Sequence, residues 1–131
     1  MSETAAPKTA TERVHFVEHK GKRVLFHDLS NIEDPRDAFP AVALSKSIVA
    51  QQPPRSLLTL TYVKGSRFNR EIIEALKDLV VHNGPYVKCG AIVGLAGLQR
   101  VVYVTITQLT GRRLPTFDTV AAGLDWLVAQ E

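Results

Sequence analysis

From Val14 onward, short apolar segments alternate with glycine, proline and asparagine turn signals. Val14 to His19 and Lys22 to Leu29 flank Lys20-Gly21, a two-residue loop whose glycine accepts the positive φ of a tight hairpin. In that register Val17 faces Val24 and Phe16 faces Leu25. Apolar pairs on both faces predict a hairpin inside a sheet that is covered, at least partly, on each side. Asp34-Pro35 and Asp37 offer helix caps, and Ala38 to Gln52 reads as a helix stopped by Pro53-Pro54, with Pro40 in its first turn. Ser56 to Val63 is a β-branched and apolar strand ended by Lys64-Gly65. Asn69 caps the next helix, where Ile72, Ile73, Leu76, Leu79 and Val80 share one face and charged residues take the other. Asn83-Gly84-Pro85 ends it.

Tyr86 to Val93 is another strand, closed by Gly94 and Gly97. Past it, two signals conflict. Val101 to Thr107 contains six β-branched residues, yet Leu98, Val101, Val102, Thr105, Ile106 and Leu109 keep helical spacing. Gly111 stands where a helix-ending glycine belongs, so periodicity predicts a helix over Leu98 to Leu109. On that helix Val102 is expected inward and Gln99 outward, so that a carboxylate is damaging at the first and harmless at the second. Arg113 to Phe117 reads as a short edge strand because Pro115 cannot donate to a ladder, and Asp118 caps a last helix, Thr119 to Gln130. The order ββαβαβαβα, with right-handed crossovers, predicts an α/β fold with a mixed, mainly parallel five-stranded sheet, an antiparallel edge strand and four helices.

This order resembles the SpoIIAA-like branch of the STAS fold, named for sulfate transporters and anti-sigma antagonists. The resemblance is carried by LLTLTYVKG before the second long helix, GAIVGLAGL before the third, and GRRLPTFDTVAAGLDWL at the end. It covers roughly residues 13–130 and implies a small cytoplasmic non-enzyme, often dimeric, akin to lipid-carrier folds and suited to apolar ligands or membrane surfaces. Relatives of that fold are switched by phosphorylation of a serine in a D-S-x-G-like turn. Here the turn reads Lys64-Gly65-Ser66-Arg67-Phe68-Asn69-Arg70, without the acidic residue and the following glycine, so an efficient switch at Ser66 is not expected.

Composition narrows the function classes. A chain of 131 residues, 45% hydrophobic and 22% charged, suits one globular domain, taken as residues 12–131 behind a disordered lead-in of residues 1–11. The single Cys89 and the lack of an apolar stretch in the first ten residues point to a cytoplasmic protein. Cys89 to Leu98, the longest apolar run, falls well short of the roughly 18 residues a spanning helix needs. Net charge is only +3 and the basic residues are scattered apart from Lys22-Arg23 and Arg112-Arg113, so no nucleic-acid footprint is expected.

Catalytic and cofactor motifs are thin. Gly90-x-x-x-Gly94-x-x-Gly97 lacks the lysine of a P-loop, His15 and His19 make only a two-ligand pair, and His27-Asp28 is half a triad without a marked nucleophile. Cys89 reads as an inert strand thiol. No enzyme, cofactor or metal is therefore expected. In parallel α/β sheets ligands collect beyond the carboxyl ends of the strands. Residues 28–31, 64–69 and 94–97 meet there, with Ser66, Arg67, Arg70 and Arg100 as candidate binders of an acidic headgroup. The helix over Ala38 to Gln52 carries two apolar lines, and Phe39, Val42, Leu44, Ile48 and Val49 are its candidate contacts. Between its proline-bearing flanks it is expected to act as a movable cover over an apolar pocket. The partners to consider are an apolar or amphiphilic small molecule, a membrane surface or a second copy of the chain. The alternatives are a signalling protein of the anti-sigma type and an enzyme built on the sheet-edge loops.

Overall fold

The computed structural model describes residues 8–111 and 114–130. Its elements are α1 (Ala10–Arg13), β1 (Val14–His19), β2 (Lys22–Asp28), α2 (Pro35–Val49), β3 (Leu57–Tyr62), α3 (Arg70–Asn83), β4 (Val87–Val93), α4 (Leu98–Thr110), β5 (Thr116–Phe117) and α5 (Val120–Val128). A 3-10 turn, Gly84–Tyr86, joins α3 to β4. The strands lie side by side in chain order. β1 is antiparallel to β2 through the expected pairs Val17–Val24 and Phe16–Leu25, and β2 to β5 are parallel.

Because each crossover advances one strand in the same direction, its right-handedness places α2, α3 and α4 on one face of the sheet. A core of Leu25, Ile32, Val49, Leu57, Ile72, Leu79 and their neighbours fills that layer. On the other face α5 crosses the sheet, burying Leu127 against Val24, Leu60, Ala91 and Val93. It lies close to the sheet at Gly123, where a Cβ would stand 2.9 Å from Leu60 Cδ1 and 3.0 Å from Val93 Cγ2. Both faces of the hairpin are thus covered, as its apolar pairs require.

Several boundaries differ from the sequence expectations. Among the described residues there are five α-helices, not four: α1 lies in and just beyond the expected lead-in, started by a capping box in which Thr9 and Glu12 satisfy each other's backbone N–H groups. Arg13 at its end donates through Nη1 to the carbonyls of Asp28 (2.9 Å) and Ser30 (3.1 Å), tying α1 to the end of β2. Residues 1–7 lie outside the described residues. α2 starts at Pro35 rather than Ala38, since Asp34 caps it by accepting from Arg36 N and Pro35 takes a first-turn position where no N–H is needed. Pro40 then lies inside the helix and forfeits only the bond to the carbonyl of the exposed Arg36. Thr119, not Asp118, caps α5. β5 keeps only Thr116–Phe117 of the expected strand, whose Arg113 lies outside the described residues.

Candidate functional site

The carboxyl ends of β2, β3 and β4 converge as expected, and backbone hydrogen bonds join the loops that follow them. Asn31 N donates to Lys64 O (3.0 Å), Arg67 N to Ile32 O (2.8 Å) and Val63 N to Val93 O (3.0 Å). Gly65 and Gly94 permit this closure. Both have positive φ, and a Cβ would collide with Asn31 Oδ1 at 2.3 Å in the first case and press on Lys64 Cβ, N and Cα at 3.0–3.2 Å in the second.

Ser66 sits at the centre of this arrangement and is buried. Its hydroxyl donates to Leu29 O and accepts from Ile32 N at 2.9 Å, so both hydrogen-bonding roles are filled by the loop after β2. Arg67 is almost fully exposed and pairs loosely with Glu33 at 3.6 Å. Beside them Ser66, Arg67, Phe68 and Val102 line a groove of about 450 Å³ between the start of α3 and α4. Arg70 opens α3 two residues after Phe68. Arg100 follows Gln99, whose amide Nε2 donates to Val63 O (2.9 Å) and Ser66 O (2.6 Å). Arg70 and Arg100 are exposed and take part in no ion pair among the described residues.

α4 forms over the segment where periodicity and propensity conflict, but its inward face is turned by roughly a quarter of a revolution from the expected one. Gln99 and Ile106 are buried, Val102 is half-buried, and Val101 (62%) and Val104 (47%) are exposed. Two loop carbonyls need donors at this end of the sheet, and the Gln99 amide supplies both. Gln99, expected outward, is therefore a structural anchor, and Val101 and Thr105, expected inward, face water.

The helix expected to cover a pocket is instead part of the core. Ala38, Ala41, Val42, Ser45 and Val49 of α2 are buried, and Leu44 and Ile48 pack on the same cluster. Of its candidate contacts only Phe39 is exposed, at 43%. Lys46 is also paired with Asp78 of α3. The physical reason is width: α2 packs on the sheet with one flank and on α3 with the other, so both apolar lines find partners. Replacing Leu44 and Ile48 with serine would remove core contacts, not an independent binding surface.

Beneath α2 lies a polar network with no counterpart in the sequence reading. His27 Nε2 is 2.6 Å from Ser45 Oγ, which accepts from Asn83 Nδ2 at 3.3 Å, and His82 Nδ1 is 2.9 Å from Asn83 Oδ1. Asn83 donates to Ser45 Oγ, and the hydroxyl either donates to a bare Nε2 or accepts from a protonated one, so the imidazole tautomer sets the direction of that bond. Nδ1 makes no hydrogen bond of normal geometry. Burial pushes the His27 imidazole down to about 4, with only partial relief from the Leu60 backbone. A serine within reach of a histidine has the geometry of an activated nucleophile, but Ser45 is 0% exposed, so the pair locks α2 to β2 and α3 and meets no substrate. A small cavity of about 50 Å³ adjoins it, lined in part by Thr59, Thr61 and Leu114.

The remaining candidates have ordinary roles. His15 stacks obliquely on Phe26, and His19 Nε2 bonds Asp125 at 2.7 Å, so the two do not meet as a ligand pair. Asp28 is engaged by Lys8 and Ser30: burial pushes its carboxyl up, but those hydrogen bonds outweigh it and hold the group below its usual range. Cys89 is half-buried against the α5 side of the sheet. Among the described residues no group of three or more metal-ligating side chains occurs, and no helix is long and apolar enough to cross a membrane.

No protein-family model matches this sequence, and no curated protein matches it. The architecture is shared with a crystal structure of an uncharacterized protein of the DUF3478 family, with a SpoIIAA-like fold, from Shewanella loihica PV-4. Identity is 18%, the match covers 87% of this chain and 91% of that one, and the TM-score is 0.66. At this identity the likeness establishes the fold, which is SpoIIAA-like, in agreement with the resemblance read from the sequence.

Proposed function

We propose that this chain is a non-catalytic binding module whose site is the groove between the start of α3 and α4, and that its ligand is an amphiphile with an acidic head. The observation that carries the reading is the composition of that groove. Phe68 and Val102 supply an apolar lining, and Arg67 stands at its mouth with a solvent-exposed guanidinium. An acyl chain gains roughly 0.8 kcal/mol per buried methylene in such a place, and a carboxylate or phosphate gains a planar, bidentate partner. Arg70 and Arg100 add charge at the same end of the sheet.

The cover is α4 in this reading, not the first long helix. α4 has seven β-branched residues and no side-chain N-cap, and among its described side chains only Gln99 and Ile106 are buried, so apart from the Gln99 anchor its local opening opposes little packing energy. A phosphorylation-switched, anti-sigma-antagonist role gains no support at Ser66, whose hydroxyl is buried and doubly bonded.

The test is uptake of a fluorescent fatty acid by the purified chain, compared with its methyl ester and with phosphatidylglycerol vesicles. The double change Arg67→Glu with Arg100→Glu, at two exposed sites, should weaken fatty-acid binding at least tenfold and leave the unfolding midpoint unchanged. Binding only to vesicles would move the ligand from a free amphiphile to a membrane surface. Equal fatty-acid binding by the variant and the natural chain, or none by either, would refute the assignment of this groove.

A further inference from the structure

At the opposite end of the sheet the fold gathers basic residues that are far apart in sequence. Leu25 is level with Thr59, and Thr59 with Gly90, so extending the ladder back by three residues brings Lys22 level with Ser56. β4 reaches the same level with one residue too many: Leu57 pairs with Val87 and Leu58 with Cys89, leaving Lys88 unpaired in a bulge. A bulge re-aims a side chain without breaking the strands on either side of it. Val87 packs with the core under α2 to α4 and Cys89 with the core under α5, while Lys88 is exposed at the rim. Among the described residues, Lys22, Arg23, Ser56, Leu58, Lys88 and Gln130 line a groove of about 350 Å³ there, and none of these six is a carboxylate.

We infer that this groove binds the phosphate group of a small phosphomonoester. Lys22 and Lys88 stand two strands apart, a backbone separation of roughly 10 Å, which lets two lysine side chains converge on one tetrahedral anion from either side. Lys22 is held in position because its Nζ donates to the carbonyls at the end of α5, Val128 at 2.8 Å and Gln130 at 3.4 Å. An ammonium has three donors, so one remains for a ligand. Lys88 has no hydrogen-bond or ion-pair partner among the described residues. The Arg23 guanidinium rests over the Phe16 ring at 4.0 Å and contributes charge rather than a direct bond.

Electrostatics favour an anion here beyond these contacts. Arg55 and Lys20 lie at the same end, and the carboxylates described nearby are Glu18, opposite Arg23, and Asp125, already bonded to His19 and Lys20. The groove exceeds the size of a bare phosphate and carries Leu58 beside its lysines, so it suits a phosphate joined to an organic group rather than the free ion.

The experiment is a titration of the isotope-labelled chain followed by amide NMR, with phenyl phosphate, inorganic phosphate, benzoate and phosphatidylglycerol vesicles as probes. Phenyl phosphate should give saturable shifts at Lys22, Ser56, Lys88 and Gln130, tighter than inorganic phosphate or benzoate. Lys88→Gln should weaken it at least tenfold, Lys88→Arg should restore most of the affinity, and Arg67→Gln at the far end should change nothing. Since Lys88 is exposed, the variants should keep the natural unfolding midpoint. Shifts that are unsaturable, spread over both ends of the sheet, equal for benzoate, unaffected by Lys88→Gln, or seen only with vesicles would each overturn the inference. Loss of fatty-acid binding at the arginine groove leaves this result untouched, so the two sites are tested separately.

Discussion

Acidification should weaken the fold in a pH window set by His27. The imidazole is fully buried and neutral, its value held near 4 against 6.5 for an exposed histidine. A group whose folded value is depressed binds more protons in the unfolded chain, so its contribution to stability is complete above about pH 6.5 and is lost as pH falls toward 4. With ~1.4 kcal/mol per unit, the loss is about 1 kcal/mol near pH 5.5 and about 2–3 kcal/mol near pH 4.5, approaching about 3–4 kcal/mol in total. The carboxylates with lowered values, Asp28, Asp34, Asp78 and Asp125 from 3.8 and Glu12 from 4.5 in the unfolded chain, titrate mainly at or below the acid end of this window and are common to both proteins compared below. Urea unfolding of the natural chain and of His27→Asn across pH 7 to 4.5 isolates the term. The variant loses the Ser45 contact and should be less stable at neutral pH, but its stability should fall much less on acidification. Parallel pH profiles for the two proteins, or an NMR titration of His27 in the folded chain with a midpoint near 6.5, would refute the reasoning.

Two further outcomes follow from the loops at the carboxyl end of the sheet. Gln99→Ala removes the donor for Val63 O and Ser66 O and should cost about 1–3 kcal/mol in chemical unfolding, with faster amide exchange along α4; unchanged exchange would show that Gln99 does not anchor the helix. Ser66→Ala strands the Leu29 carbonyl and the Ile32 amide and should cost a similar ~1–3 kcal/mol, while incubation of the folded chain with a serine kinase should leave Ser66 unmodified by mass spectrometry. Stoichiometric phosphate on Ser66 in protein that keeps its native circular dichroism would reverse that reading.

Element order, strand polarity and the kind of each long element were legible in the residues themselves. Lys20-Gly21 sets the hairpin because only a turn with positive φ fits two residues between those strands, and both residues adopt it. The 3.6-residue period of Leu98 to Leu109 outweighed six β-branched residues because one helix face can be buried and a strand's alternation could not match it. The capping box before Arg13 is also written in the letters Thr9 to Glu12, but no periodic segment follows it to mark a helix.

What the chain could not reveal locally is which faces meet. The apolar lines of α2 look like surplus surface until α3 is laid beside them, since a helix wedged between a sheet and another helix buries a wider arc than one lying on a sheet alone. α4 turns its glutamine inward because carbonyls 33 and 36 residues earlier need donors, a demand absent from its own sequence. His27, Ser45 and Asn83 are 18 and 38 residues apart and become a network only when β2, α2 and α3 are stacked. Lys22 and Lys88 share a groove only through the ladder of β2 to β4 and a bulge at one position. Local periodicity dictates what each segment is, because propensity and amphipathic spacing act within a few residues. Partnership across the sheet is decided by register and by the need to satisfy buried polar groups, and neither is written in any one segment.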